Sequence, residues 1–281
     1  MEHGIARLTL VAACLLTMCG FTSQPVANTR EYYESRGEIV WEVPTDEKLI
    51  ALTFDDGPDA MTTLQILDLL AKYDAKATFF VVGRRAERFP DVVKREAMEG
   101  HEIANHTYTH MYFNRKVSAS AIAGELEKTS NTLTELTGRK CRWFRPPGGF
   151  YNDTVVQVAK EQGYTLILWS WHQDTRDWIS PGVGKIIRKV LNNARNGDIV
   201  LLHDHVSGAN QTVAALGQIL PELRDRGYRM VTVSELLRHK RSQPVKLNPR
   251  NDRTGDKPGD KPGDKPGDIL EDRPRDRPGG G

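Results

Sequence analysis

Residues 49–58 read LIALTFDDGP: an apolar run that stops on two adjacent carboxylates, a glycine and a proline. The shortness of the run and the turn residues behind it mark a buried strand rather than a helix. Outward from this stretch the same pattern repeats. Strands are expected at 49–54, 78–82, 102–105, 142–145, 165–170, 198–202 and 230–233. Between and after them lie helical patterns at 62–73, 91–99, 119–137, 153–162, 183–194, 212–226 and 234–239. Strict strand–helix alternation argues for a parallel sheet with helices packed outside it. Seven such units between residues 46 and 240 suggest a closed or nearly closed barrel, with a doubly wound open sheet as the alternative. No glycine-rich fingerprint of the dinucleotide or P-loop kind follows any strand.

The flanks of the 281-residue chain differ from its middle. Arg7 precedes an apolar run over 8–21, too short for a bilayer span of about 20 residues but suited to a signal-peptide core of about 7–15. Residues 1–27 are therefore expected to be an export signal, with VAAC at 11–14 resembling a lipobox and Cys14 as the alternative lipid anchor. Residues 28–45 lack strong periodicity and read as a linker, with at most a short strand at 38–43. Residues 46–240 hold the strand–helix units and are expected to form a single domain. Beyond 241, GDKP occurs three times within 255–266 and basic and acidic residues balance. So few apolar residues cannot offset the ordering entropy, and this tail is expected to be a disordered spacer.

Of the three cysteines, Cys14 and Cys19 lie in the apolar run, which leaves Cys141 without an intramolecular partner and argues against a disulfide framework. A net charge of +2, from 39 basic and 37 acidic residues, gives no basis for nucleic-acid binding. A secreted or envelope-associated monomer is expected, with membrane anchoring only through the N-terminus.

Polar clusters sit where the strands end: TFDDGP at 53–58, HTYTH at 106–110, RPPGG at 145–149, DTRDW at 174–178 and HDH at 203–205. In a parallel barrel these segments open at one face, where active sites form. His106 and His110, four apart, can turn both imidazoles to one ion, and a third ligand from Asp56 gives two nitrogens and one oxygen with an open position. Such a set suits a catalytic divalent ion, zinc first, with cobalt, nickel or manganese as alternatives. Of the adjacent Asp55 and Asp56, one stays ionised on the cation while the other remains a free base. The residues themselves leave open which does which. The loop after Arg145, stiffened by prolines and opened by glycines, can offer an oxyanion donor. His203 ends a very apolar strand and can serve as a general acid, with Asp177 as its partner.

Together, in this order, these five stretches resemble the motifs of the polysaccharide deacetylase (NodB-like, carbohydrate esterase family 4) domain over about residues 49–237. The resemblance implies a distorted (β/α)7 barrel and metal-dependent removal of acetyl groups from N-acetylglucosamine polymers, peptidoglycan first. It implies Asp55 as catalytic base, Asp56, His106 and His110 as metal ligands, Arg145 holding the base, and Asp177 tuning His203, the catalytic acid. Trp178 and Leu201 would line the acetyl pocket, and the Gly148 N–H would bind the oxyanion. Many relatives carry an aromatic residue where this chain has Gly148, so Phe150 or Tyr151 is expected to supply a sugar-stacking surface. Chitooligosaccharide, exopolysaccharide and xylan esters are the alternative substrates. A silent glycan-binding protein, or an envelope protein acting through its tail, is the alternative outside enzymology.

Overall fold

The structure, a computed structural model, describes residues 29–241 apart from Arg115 and Ala209. The expected export signal with Cys14 and Cys19, and the charged tail, lie outside the described residues. In chain order the elements are α1 (Arg30–Ser35), β1 (Ile39–Val40), β2 (Leu49–Asp55), α2 (Thr62–Lys72), β3 (Ala77–Val81), α3 (Gly83–Arg88), α4 (Pro90–Met98), β4 (Glu102–Asn105) and α5 (Ala119–Thr137). There follow β5 (Trp143–Phe144), α6 (Asp153–Glu161), β6 (Thr165–Ile167), α7 (Val183–Leu191), β7 (Asp198–His203), α8 (Thr212–Asp225), β8 (Arg229–Met230) and α9 (Val233–Arg238).

All strand pairs are parallel, in the order β1-β6-β5-β4-β3-β2-β7, with β8 paired to the start of β2. The sheet curls into the distorted (β/α)7 barrel, and the irregular part is its seam. Between β6 and β7 the backbone is joined by Ser170 N–H to Ile199 O (3.0 Å), by Ile199 N–H to the Ser170 hydroxyl (3.1 Å), and by a single bridge between Asp174 and Leu201.

Alternation of side chains along each strand sorts the residues. On β2, Ile50, Leu52 and Phe54 pack outward beneath the helices, whereas Leu49 and Ala51 join Phe80, Ala104, Ile167 and Ile199 in a second cluster inside the curl. The inward positions run on past that cluster to Thr53 and Asp55, and the same parity on neighbouring strands selects His106, Arg145 and His203. The register sets Asp55 beside His203 and Arg145 N–H on Asn105 O. One periodicity thus fills the barrel floor with apolar side chains and its upper rim with chemistry.

Four expectations change. Residues 28–45 are not a bare linker: α1 and β1 pack onto the barrel and bury Tyr33, Ile39, Trp41 and Val43. β1 falls within the short strand expected at 38–43 and adds an edge to β6, whereas α1, capped by the Thr29 hydroxyl, is too short to carry a visible period. Helix α3 is additional. Its RRAER sequence has no apolar stripe, and it is held because Gly83 and Arg84 N–H groups donate to Thr107 O and Tyr108 O at 3.0 Å. The strand expected over 165–170 stops at Ile167, and the one at 230–233 is replaced by β8 and α9, whose first turn is capped by Thr232. Cys141 is free and buried, and burial pushes its thiol up to about 12. Among the described residues no helix is long and apolar enough to cross a membrane.

Candidate active site

Asp55 is the last residue of β2, and Asp56 makes the turn that follows. Asp56 adopts a left-handed backbone (φ 75°), as do Thr107 (66°) and His110 (61°). These conformations bring the two loops face to face, so that Asp56 Oδ1 stands 3.2 Å from His106 Nε2 and 2.9 Å from His110 Nε2. The turn rests on Asp204. A Cβ on Gly57 would lie 2.0 Å from the Asp204 carboxylate, so only glycine fits there. Asp204 accepts the Thr63 hydroxyl (2.5 Å), and that hydroxyl accepts Asp59 N–H (2.7 Å). Burial, opposed by Thr63 and Arg85, pushes the Asp204 carboxyl up to about 7.

Arg145 is wholly buried in the barrel and spends its donors on fixed acceptors. Nη1 donates to Asp55 Oδ1 (2.7 Å) and Thr53 Oγ1 (2.9 Å), Nε to Ile167 O (2.8 Å) and Nη2 to Leu168 O (2.9 Å). Its Cζ lies 3.9 Å over the Phe80 ring. Opposite, His203 Nδ1 donates to Asp177 Oδ1 (2.7 Å), and Asp177 Oδ2 accepts His203 N–H (2.8 Å) and the Thr212 hydroxyl (2.6 Å).

Burial alone would lower the His203 pKa, but the Asp177 carboxylate, aided by Asp56 and Asp55, overrides it and raises the imidazole to about 9. His203 is therefore cationic at neutral pH. A raised folded-state pKa contributes stability in full below its ordinary 6.5, and that contribution is lost as pH rises through about 9. Asp177→Asn removes the largest group opposing burial and leaves only Asp56 and Asp55 against it. The alkaline limb of the activity profile is expected to fall by two or more pH units, read from kcat/KM against pH; an unmoved limb would mean that His203 does not set it.

The metal reading can be tested on the donor atoms. His106 Nδ1 is 2.6 Å from Arg145 O, and a carbonyl can only accept, so Nδ1 carries the proton and Nε2 turns its lone pair to Asp56. His110 Nε2 is buried and out of hydrogen-bond alignment with Asp56. Three acceptor-capable atoms thus converge within 4.8 Å, a set that fits a divalent cation. A second group at this spacing, Glu42, His172 and Asp198, is already satisfied. Arg30 donates to Glu42 (2.9 Å), while Gln173 (2.9 Å) and Arg195 N–H (2.8 Å) donate to Asp198.

The remaining expected residues divide. The Gly148 N–H, in a left-handed turn (φ 65°), takes no hydrogen-bond partner among the described residues. Leu201 points inward two positions below His203, and its carbonyl accepts the Thr175 hydroxyl (2.7 Å). Trp178 is partly exposed on the 177–179 turn, and Phe150 is partly exposed beside Tyr112. Tyr151 packs edge to face with Tyr33 and Trp41. Thr53, Thr212 and Asp204 were not singled out in the sequence. Thr53 and Asp204 were at least within the quoted stretches 53–58 and 203–205, without a role assigned to either.

Residues 42–167 match the polysaccharide deacetylase family profile. The chain is 52% identical to a peptidoglycan-N-acetylglucosamine deacetylase of Bacillus cereus, over 75% of this chain and 98% of that relative. The chain belongs to the polysaccharide deacetylase family. Among solved structures, this deacetylase resembles a peptidoglycan N-acetylglucosamine deacetylase bound to an N-oxidanyl-benzamide (TM-score 0.71, 35% identity, 76% of this chain and 100% of that one). It also resembles a family 4 acetyl xylan esterase from Clostridium thermocellum in complex with a cobalt ion (TM-score 0.64, 34% identity, 68% and 91%). The deacetylase carries each expected motif on the rim of one barrel.

Proposed function

We propose that the protein hydrolyses the N-acetyl group of N-acetylglucosamine residues in peptidoglycan, with a divalent cation, zinc first, held by Asp56, His106 and His110. The observation that carries the reaction is the pairing of Asp55 with His203 on neighbouring strands, one clamped by Arg145 and the other by Asp177, beside the three ligating atoms. The 52% identity to a peptidoglycan-N-acetylglucosamine deacetylase supports the substrate. The apolar run at 8–21 supports action outside the cytoplasm.

When bound, the cation polarises the amide carbonyl and acidifies the attacking water. Asp55, held by Arg145, takes the proton from that water. The Gly148 N–H donates to the oxygen as its charge develops. His203, cationic at neutral pH, delivers its Nε2 proton to the departing amine while Asp177 fixes the ring through Nδ1. The products are acetate and a free amino sugar. Leu201 and Trp178 flank the space left for the methyl group.

The test is acetate release from peptidoglycan and from chitooligosaccharides, before and after chelation. EDTA is expected to abolish release and added zinc to restore it, with peptidoglycan the faster substrate. Undiminished release from protein verified metal-free would overturn the metal reading. Faster turnover of chitooligosaccharide would overturn the substrate assignment.

A further inference from the structure

We propose that Glu125 is a positioning residue for the metal centre: it fixes the turn between His106 and His110 and so sets His110 against its fellow ligands, a role that rests on the metal reading proposed above. Of the residues between the two histidines, Tyr108 and Thr109 are held by this one side chain. Glu125 Oε2 accepts the Tyr108 N–H (2.9 Å) and the Thr109 N–H (2.7 Å), and Oε1 accepts the Thr109 hydroxyl (3.0 Å). A carboxylate that takes consecutive backbone N–H groups makes charge-assisted bonds, about twice as strong as neutral ones. Glu125 lies in the second turn of α5, a 19-residue helix that starts from its Ser118 cap. The acceptor is therefore carried by a regular element rather than by another loop.

The carbonyls of the same turn are fixed from α3, where Gly83 and Arg84 N–H groups donate to Thr107 O and Tyr108 O. Helices α3 and α5 are themselves in close contact, since a Cβ on Gly83 would lie 2.9 Å from Thr129 Oγ1. The Thr107 N–H donates to Asn105 Oδ1 (2.9 Å), and the Asn105 amide donates in turn to Leu126 O (2.9 Å), so α5 takes part twice. This hold bears on the metal because Thr107 and His110 are both left-handed. Such a backbone persists only where the surrounding contacts impose it. His106 does not depend on Glu125: its N–H donates to Val81 O and its ring to Arg145 O. His110 follows the held residues directly, and its place is set through them. Glu125 therefore governs one ligand of the three, while Asp55 and His203 stand on other strands under their own clamps.

Loss of the acceptor relaxes the turn, which weakens metal binding but leaves the chemistry intact once metal is supplied. The test uses the full chain. Zinc affinity is measured by competition with a chromophoric chelator, alongside the thermal midpoint of the metal-free protein and kcat at saturating zinc across pH. Glu125→Ala is expected to weaken zinc binding about tenfold, the lower end for groups that stand behind metal ligands. Its kcat at saturating zinc should stay within about twofold, with the limbs of the pH profile unmoved. Glu125→Asp keeps the charge but draws the oxygens back by one methylene, and is expected to weaken zinc as alanine does. Glu125→Gln is expected to return zinc affinity to within about threefold of the wild type, because the amide oxygen still accepts both N–H groups and the NH2 can donate to the Thr109 hydroxyl. Unchanged zinc affinity in Glu125→Ala and Glu125→Asp overturns the proposal, even with a lowered thermal midpoint, since Glu125 would then only stabilise the fold. A loss in Glu125→Gln equal to that in Glu125→Ala, with Glu125→Asp unaffected, overturns it as well, because negative charge near the cation would be responsible rather than the hold on the turn. A wild type that binds zinc without releasing acetate overturns the deacetylase reading alone, and the zinc affinities still decide the role of Glu125. A wild type that binds no zinc overturns the metal reading and this proposal with it.

Discussion

Replacing Asp55 by asparagine is expected to cut acetate release by about a thousandfold while the protein keeps its fold and its affinity for added zinc. Asparagine retains an oxygen for Arg145 Nη1, now 2.7 Å from Asp55 Oδ1, so the buried guanidinium keeps an acceptor there. It loses the charge and the basicity that take a proton from water. The ligating atoms of Asp56, His106 and His110 are untouched, so a zinc titration of the variant should overlay that of the wild type. An alanine would mix two effects, because an uncompensated buried cation beneath the site costs several kcal/mol by itself. A loss of tenfold or less in Asp55→Asn, with zinc bound, would mean that another group accepts the proton.

Arg145→Lys is expected to destabilise the barrel by about 3 kcal/mol and to take most of the activity with it. The guanidinium reaches four acceptors from one plane: Asp55, Thr53 and the carbonyls of Ile167 and Leu168. A lysine ammonium sits at a single point and cannot span β2 and the end of β6 together. The carbonyls left behind are buried and lose their partners, which is where most of the cost arises. Stacking over Phe80 is lost as well. Urea unfolding would show the midpoint fall with little change in slope, since the surface exposed on unfolding stays the same. A shift below about 1 kcal/mol would mean that water or a backbone adjustment replaces the fork, and the clamp on Asp55 would then be dispensable for folding.

The barrel was legible because long apolar runs and long amphipathic helices announce themselves. The period of two that exposes Asp55, His106, Arg145 and His203 on one inner face is a local property of the chain. The motifs fall at strand ends, so their convergence followed once the strands were taken as parallel. What escaped reading depends on contacts far apart in sequence. Helix α1 and the segment after β1 hold their places through Tyr33 and Trp41 against Tyr151, contacts that leave no period. Thr212 matters because it donates to Asp177, thirty-five residues earlier. Asp204 matters because Gly57 has no side chain to keep it away.

The left-handed residues Asp56, Thr107 and His110 carry a further consequence. Each such conformation in a residue other than glycine costs about 1–3 kcal/mol, and for a β-branched threonine it is a true outlier. The rim is therefore where the molecule holds its least comfortable backbone, while the floor below it is close-packed. Natural drift meets an uneven landscape: changes that relax these turns are downhill for folding and uphill for chemistry. Activity in such a scaffold persists only while selection maintains it, and a lineage freed from that demand gains robustness by losing its catalyst first.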